Sequence, residues 1–257
     1  MKNPDQQPAS RLNRFSLSED PIIKDRLAGV KRAVERMKHD CPEVLSFCLF
    51  GSMVKGTADK DSDVDGYLFV DLEMIAKKQE VSEGSMLTFS SNGFVFKEEI
   101  NHKYLSLFHN IIKEETDLAD SQLVHAKVIP VSEKIIKTDI EKLINDRKEY
   151  VIRLTEWLKS KPDIGAGIDA LEEHEDRIPR LDNDVPFLRK MFGLAVDNGI
   201  KKYRKMFIEE LIKLGSIGEG IWSSLIGVEE MADHFNEDEV KRHYPRTLEE
   251  AMKVYGK

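Results

Sequence analysis

Residues 50–70, FGSMVKGTADKDSDVDGYLFV, place two short carboxylates, Asp63 and Asp65, one residue apart at the start of an apolar run. An unpaired charge is costly to bury, so carboxylates that enter a strand call for a cation. Alternate strand residues point to the same face, and at about 3.3 Å of rise per residue the two Cα atoms stand about 6.6 Å apart. That is close enough to converge on one cation or on two neighbouring ones. Hard carboxylate oxygens with no soft ligand beside them favour Mg²⁺ or Mn²⁺ over zinc or copper. Mg²⁺ commonly completes its octahedron with substrate phosphates, which directs attention to a nucleotide.

The loop upstream supplies groups suited to phosphates. Gly51 follows an apolar run and allows a tight turn and a close backbone approach. Ser52 offers a hydroxyl and an amide, and Gly56 and Thr57 offer a second approach of the same kind. Successive amides at such a turn form an anion nest, to which Lys55 adds a mobile positive charge. Each feature alone is weak, since an Asp-x-Asp pair is commonly a solvated turn and a lysine commonly a solvated side chain. Their combined spacing, GS-x3-GT-x4-SDVD between two apolar strands, closely resembles the signature of the nucleotidyltransferase superfamily shared with DNA polymerase beta.

That resemblance implies that Gly51 and Ser52 hold a triphosphate while Asp63 and Asp65 bind Mg²⁺ or Mn²⁺. It implies transfer of a nucleoside monophosphate, AMP from ATP, to a hydroxyl of a small-molecule acceptor. It also implies a third acid on a later strand. The segment KYLSLFH, expected to be that strand, has no carboxylate. Glu98, expected to share a strand face with Phe94 and Phe96, is the preferred candidate, with Glu99 beside it and Asp117 and Asp120 in a polar loop. The opposing reading makes Glu98 and Glu99 solvated hairpin residues and leaves the site incomplete. Gly66 stands where the superfamily usually has a large apolar residue.

The chain around these residues has 257 positions, 40% hydrophobic and 33% charged, which suits one large or two ordinary globular domains. Its net charge of −8 is evenly spread, with 17 basic and 21 acidic residues in 1–132 and 22 and 26 in the remainder. Neither half has the basic balance of a protein that tracks a phosphate backbone, so a polynucleotide substrate is disfavoured. No run approaches a membrane span, and residues 1–20 lack a signal-peptide core and read as a mobile arm. Cys41 and Cys48, with no zinc-type spacing, fit buried thiols in a reducing cytoplasm.

The elements expected to position the site begin with a helix opened by Asp20-Pro21 and carrying an apolar stripe of Ile23, Leu27, Val30, Val34 and Met37. Strands at 44–50 and 64–70 flank the loop, with a short helix near 72–80. A hairpin is expected from 87–100 and KYLSLFHNI, with turns at Ser91-Asn92-Gly93 and Asn101-His102, then a strand at 123–131. Helical periodicity takes over after residue 133, including 187–214. The expected fold is α+β, with a mixed-sheet nucleotidyltransferase domain at 21–132 and a helical domain at 133–257. This resembles the architecture of the aminoglycoside and lincosamide nucleotidyltransferases, whose acceptor lies between the two halves.

In the helical half, KKYRK at 201–205 is a candidate phosphate contact or a solvated face, and EEHED at 172–176 a candidate for a cationic acceptor or a polar helix end. Trp157 and Trp222 are candidates to stack on a base but read as core, as does His125 on its apolar strand. The Arg-x4–6-His motif of helical RNase toxins is absent. Two further readings stay open: a protein- or RNA-directed enzyme that AMPylates a partner, as antitoxins of the superfamily can, and a degenerate nucleotide-binding module.

Overall fold

The computed structural model describes residues 19–55, 57–90, 93–116, 118, 124–160, 187–231, 245 and 247–256. Helix α1, Pro21–Asp40, starts as its sequence dictates, with the Asp20 carboxylate accepting from the Ile22 amide at 2.8 Å. Ile23, Val30, Val34 and Met37 are fully buried, and Arg26 is buried with them.

Strand β1 (Val44–Leu49) leads through the short helix α2 (Ser52–Lys55) to β2 (Val64–Asp71) and helix α3 (Leu72–Gln79). The hairpin β3 (Leu87–Ser90) and β4 (Gly93–Phe96) forms a small sheet of its own. Ser91 and Asn92 of its expected turn lie outside the described residues.

The next segment departs from expectation. KYLSLFHNI is not a strand: it lies within helix α4, Glu98–Glu115, which also swallows the expected turn at Asn101-His102. Tyr104, Phe108, Ile111 and Ile112 are its buried residues, at spacings of four, three and one. That is a helical stripe, and burial against α1 and the sheet decides in its favour over the β-prone composition.

Strand β5 (Val124–Val131) lies parallel to β2, which pairs antiparallel with β1. Pro130 sits inside β5, as an edge strand allows. Helix α5 (Glu133–Lys159) follows. The stretch 187–214 is not one helix. It divides into a 3-10 turn at Phe187–Phe192, strand β6 (Leu194–Ala195) and helix α6 (Lys201–Lys213). The cause is pairing, because β6 joins β1 antiparallel and the Val196 amide donates to the Phe47 carbonyl at 3.0 Å. Helices α7 (Ser216–Met231) and α8 (Leu248–Tyr255) complete the C-terminal helical region. The fold is α+β around a mixed sheet of order β5-β2-β1-β6.

The sheet has two different faces. Phe47 and Leu68 are cross-strand partners on the side of α1 and α4, where the Phe47 and Phe108 rings stand 4.8 Å apart. Gly66 lies on that side, and a Cβ there would come within 2.2 Å of the Phe47 ring, which explains the missing side chain. Cys48 and Tyr67, partners on the opposite side, face the C-terminal half. There the Tyr203 hydroxyl donates to the buried Asp71 carboxylate at 2.8 Å, and the 3-10 turn contacts β1, β2 and β5. One apolar core runs from Ile23 to Tyr255.

Candidate functional site

The aspartates enter the fold on the face that looks toward the C-terminal half, at the end of β2 where the strand begins. Gly51, after β1, has φ +67°, a backbone conformation that side chains rarely adopt. A Cβ there would also stand 2.4 Å from Asp65 Oδ2. The Phe50 amide donates to the Asp65 carbonyl at 3.0 Å, so the loop is stitched to the strand that carries the acid. Ser52 opens α2 half-buried, anchored by the buried Met53 and Val54 behind it, and Thr57 is exposed. Gly56 and the Lys55 side chain lie outside the described residues.

The segment leading to Asp63 is held by groups that sequence spacing alone did not single out. The Asp59 carboxylate accepts from the Ser62 hydroxyl at 2.9 Å and from the Asp61 amide at 3.0 Å. These two bonds, the Ser62 hydroxyl first, hold the Asp59 carboxyl below its usual range. From beneath, the buried Arg26 guanidinium donates to the Ser62 carbonyl at 2.6 Å and the Lys60 carbonyl at 2.9 Å. An arginine amid an apolar helix face was the available signal: a cation buried there must find oxygen partners.

Asp63 and Asp65 come together with His125, which the sequence had suggested as a core residue. In the parallel register of β2 and β5, Asp65 is opposite His125. His125 Nδ1 stands 2.9 Å from Asp63 Oδ2 and 3.3 Å from Asp65 Oδ1. The His125 side chain is 61% exposed and the carboxylates 35% and 38%, so the group is open to solvent. One ligand atom from each of the three residues lies within 4.8 Å of the others, a donor set that fits a divalent cation.

Glu98 lies elsewhere. It opens α4, exposed, and is not on a strand beside the pair. Tyr104, further along α4, donates to Glu43 at 2.7 Å, and Glu43 precedes Val44, the partner of Val70 near the far end of β2. Asp65 and Val70 are five residues, or about 16 Å, apart along the strand. Asp117 and Asp120 lie outside the described residues, as do 172–176 and the Trp157 side chain.

Other groups on the same face complete the surroundings. Phe50 and Tyr67 meet edge to face with ring centroids 5.3 Å apart, and Lys190 Nζ sits 5.2 Å and 5.6 Å from these rings. Lys190, from the 3-10 turn, is a cation that the C-terminal half brings beside the loop. The KKYRK cluster is placed otherwise. Tyr203 is bound to Asp71 at the far end of β2, and Arg204 donates to the Met191 and Gly193 carbonyls at 2.6 Å each. Trp222 is core, its indole N–H bonded to the Pro245 carbonyl at 3.1 Å.

The model of the family described as nucleotidyltransferase domain matches residues 30–153, which contain the Gly-Ser loop, both aspartates and His125. The chain carries a nucleotidyltransferase domain. No curated protein and no solved structure matches the chain. The match supports transfer of a nucleoside monophosphate from a nucleoside triphosphate as the general class of activity. Within the nucleotidyltransferase domain, β1, β2 and β5 carry the loop, the acids and the histidine to one edge of one face. Among the described residues, no helix is long and apolar enough to cross a membrane.

Proposed function

We propose that the protein transfers AMP from ATP to a hydroxyl of a small-molecule acceptor, releasing pyrophosphate. The observation that carries this reading is the juxtaposition of Asp63 and Asp65, solvent-accessible on one sheet face, with the loop at Gly51 that packs against Asp65. Asp63 and Asp65 hold a divalent cation, Mg²⁺ or Mn²⁺, and His125 stands in reach of the same ion. The cation, when bound, neutralises the charge that develops on the phosphates during transfer. Ser52 and the amides of the loop orient the departing pyrophosphate, with Lys55, Gly56 and Thr57 along its path. A bond forms from the acceptor oxygen to the α-phosphorus as the bond to pyrophosphate breaks, and the hydroxyl proton passes to solvent.

The working division is an arm at 1–20, a nucleotidyltransferase domain at 21–132 and a helical domain at 133–257, with the acceptor held where Lys190 and the C-terminal half face the sheet. A cytoplasmic location agrees with the free thiols of Cys41 and Cys48. A second reading, a nucleotide-binding module without turnover, is favoured by one observation: a histidine, and not Glu98, meets the aspartate pair.

Four α-labelled nucleoside triphosphates, a divalent cation and size-fractionated cell extract decide between these readings. Label is expected in the small-molecule fraction, and Asp63→Asn should lower turnover by at least about 10²-fold, the scale of losing a preorganised charge contact. Label on macromolecules would instead identify an AMPylating enzyme directed at protein or RNA. Binding of nucleotide with no label in any fraction would establish the binding module.

A further inference from the structure

Two carboxylates and an imidazole do not select the same metal as three carboxylates. Mg²⁺ is held by oxygen and bound water, whereas imidazole suits the first-row transition metals, whose affinity for nitrogen donors rises along the series. His125 brings that nitrogen. It sits on edge strand β5, directly opposite Asp65 and facing the same way, and it is too exposed to serve as packing.

The spacing of the donor atoms agrees with a shared ion. With metal–ligand bonds of about 2.1 Å, adjacent ligands of an octahedron stand about 3.0 Å apart. The Nδ1 atom lies 2.9 Å and 3.3 Å from one oxygen of each aspartate. The three donor atoms all lie within 4.8 Å of one another, so one ion can reach them together and keep its remaining positions for water and substrate. Nδ1 is the ring nitrogen that stands beside both acids.

We propose that Asp63, Asp65 and His125 form a single mixed oxygen–nitrogen site that takes a divalent first-row transition metal in preference to Mg²⁺. This rests on the reading of Asp63 and Asp65 as the cation-holding pair, and it does not require that transfer has been observed. The competing arrangement, an imidazolium clasped by two carboxylates in place of a metal, would show the same two distances. A metal titration separates them.

The experiment uses the full chain stripped of metal by chelation, with Mn²⁺ as the probe and its electron paramagnetic resonance as the readout. Bound Mn²⁺ should show hyperfine coupling to one ¹⁴N nucleus, and that coupling should vanish in His125→Ala and His125→Asp. Mg²⁺ should displace Mn²⁺ from the wild type only at an excess of about 100-fold or more, and His125→Asp should narrow that ratio at least about tenfold by restoring an all-oxygen set. Bound Mn²⁺ without nitrogen coupling, a ratio unchanged in His125→Asp, or no binding of Mn²⁺ at all would each overturn the proposal. The wild-type spectrum alone decides the first point should a variant fold poorly. Nitrogen-coupled Mn²⁺ in a protein that labels no acceptor would refute the transfer reaction and leave the metal site standing. Transfer with Mg²⁺ and no nitrogen coupling would do the reverse.

Discussion

At position 51 two demands coincide: a left-handed backbone and an empty space 2.4 Å from a carboxylate oxygen. Gly51→Ala meets neither. The backbone penalty alone is about 1–2 kcal/mol, and the methyl group must also push Asp65 aside. A lower urea midpoint together with weakened Mn²⁺ binding is the expected result; unchanged metal affinity would show that Asp65 moves freely without loss. Gly51, Ser52, Asp63 and Asp65 were legible because their types and spacing lie within one short stretch. His125 was not, because its partners Asp65 and Asp63 are 60 and 62 positions upstream and the pairing of β2 with β5 has no local signature. Val124, Ala126 and Val128 around it look like a core strand. The polar alternation of His125 and Lys127 was the available hint, since on an edge strand alternate residues reach solvent.

Among the elements, β1, β2, α1 and α3 follow from caps and apolar spacing, while α4 was mistaken for a strand because Tyr, Leu and Phe suit either state in isolation. Glu98 was assigned to the site through that mistaken strand. Helix α5 carries a different consequence of packing. The Asp139 Oδ2 atom is buried with no hydrogen-bond partner among the described residues, and burial pushes this carboxyl well above its ordinary value of 3.8. Between 3.8 and the raised native value, the folded protein therefore keeps a proton that the unfolded chain releases. Stability from this group is present below 3.8 and falls as pH rises from there through the raised native value. Asp139→Asn cannot ionise, so its unfolding free energy, measured by urea titration from pH 4 to pH 8, should lose that component of the decline. An identical slope in the variant would show that Asp139 is solvated in the folded state.

Taken whole, the molecule has a continuous core to which both halves contribute, with β6 in the sheet and Tyr203 bonded to Asp71. Unfolding should therefore be one transition. Tryptophan fluorescence, from Trp157 and Trp222, reports the C-terminal half and thiol labelling of the buried Cys48, in a Cys41→Ser background, reports the sheet; the two curves should share one urea midpoint. Separate midpoints would make 21–132 and 133–257 independent units. The parallel pairing of β2 with β5 also has a meaning in time. A ribosome adds about 5–20 residues per second, so His125 follows Asp65 into the nascent chain about 3–12 s later. For that interval the aspartates are in the growing polypeptide and their imidazole is not. On the proposed triad, an ion selected by its nitrogen would be acquired only after the crossover has closed, and metal loading would be a late event in the life of the chain.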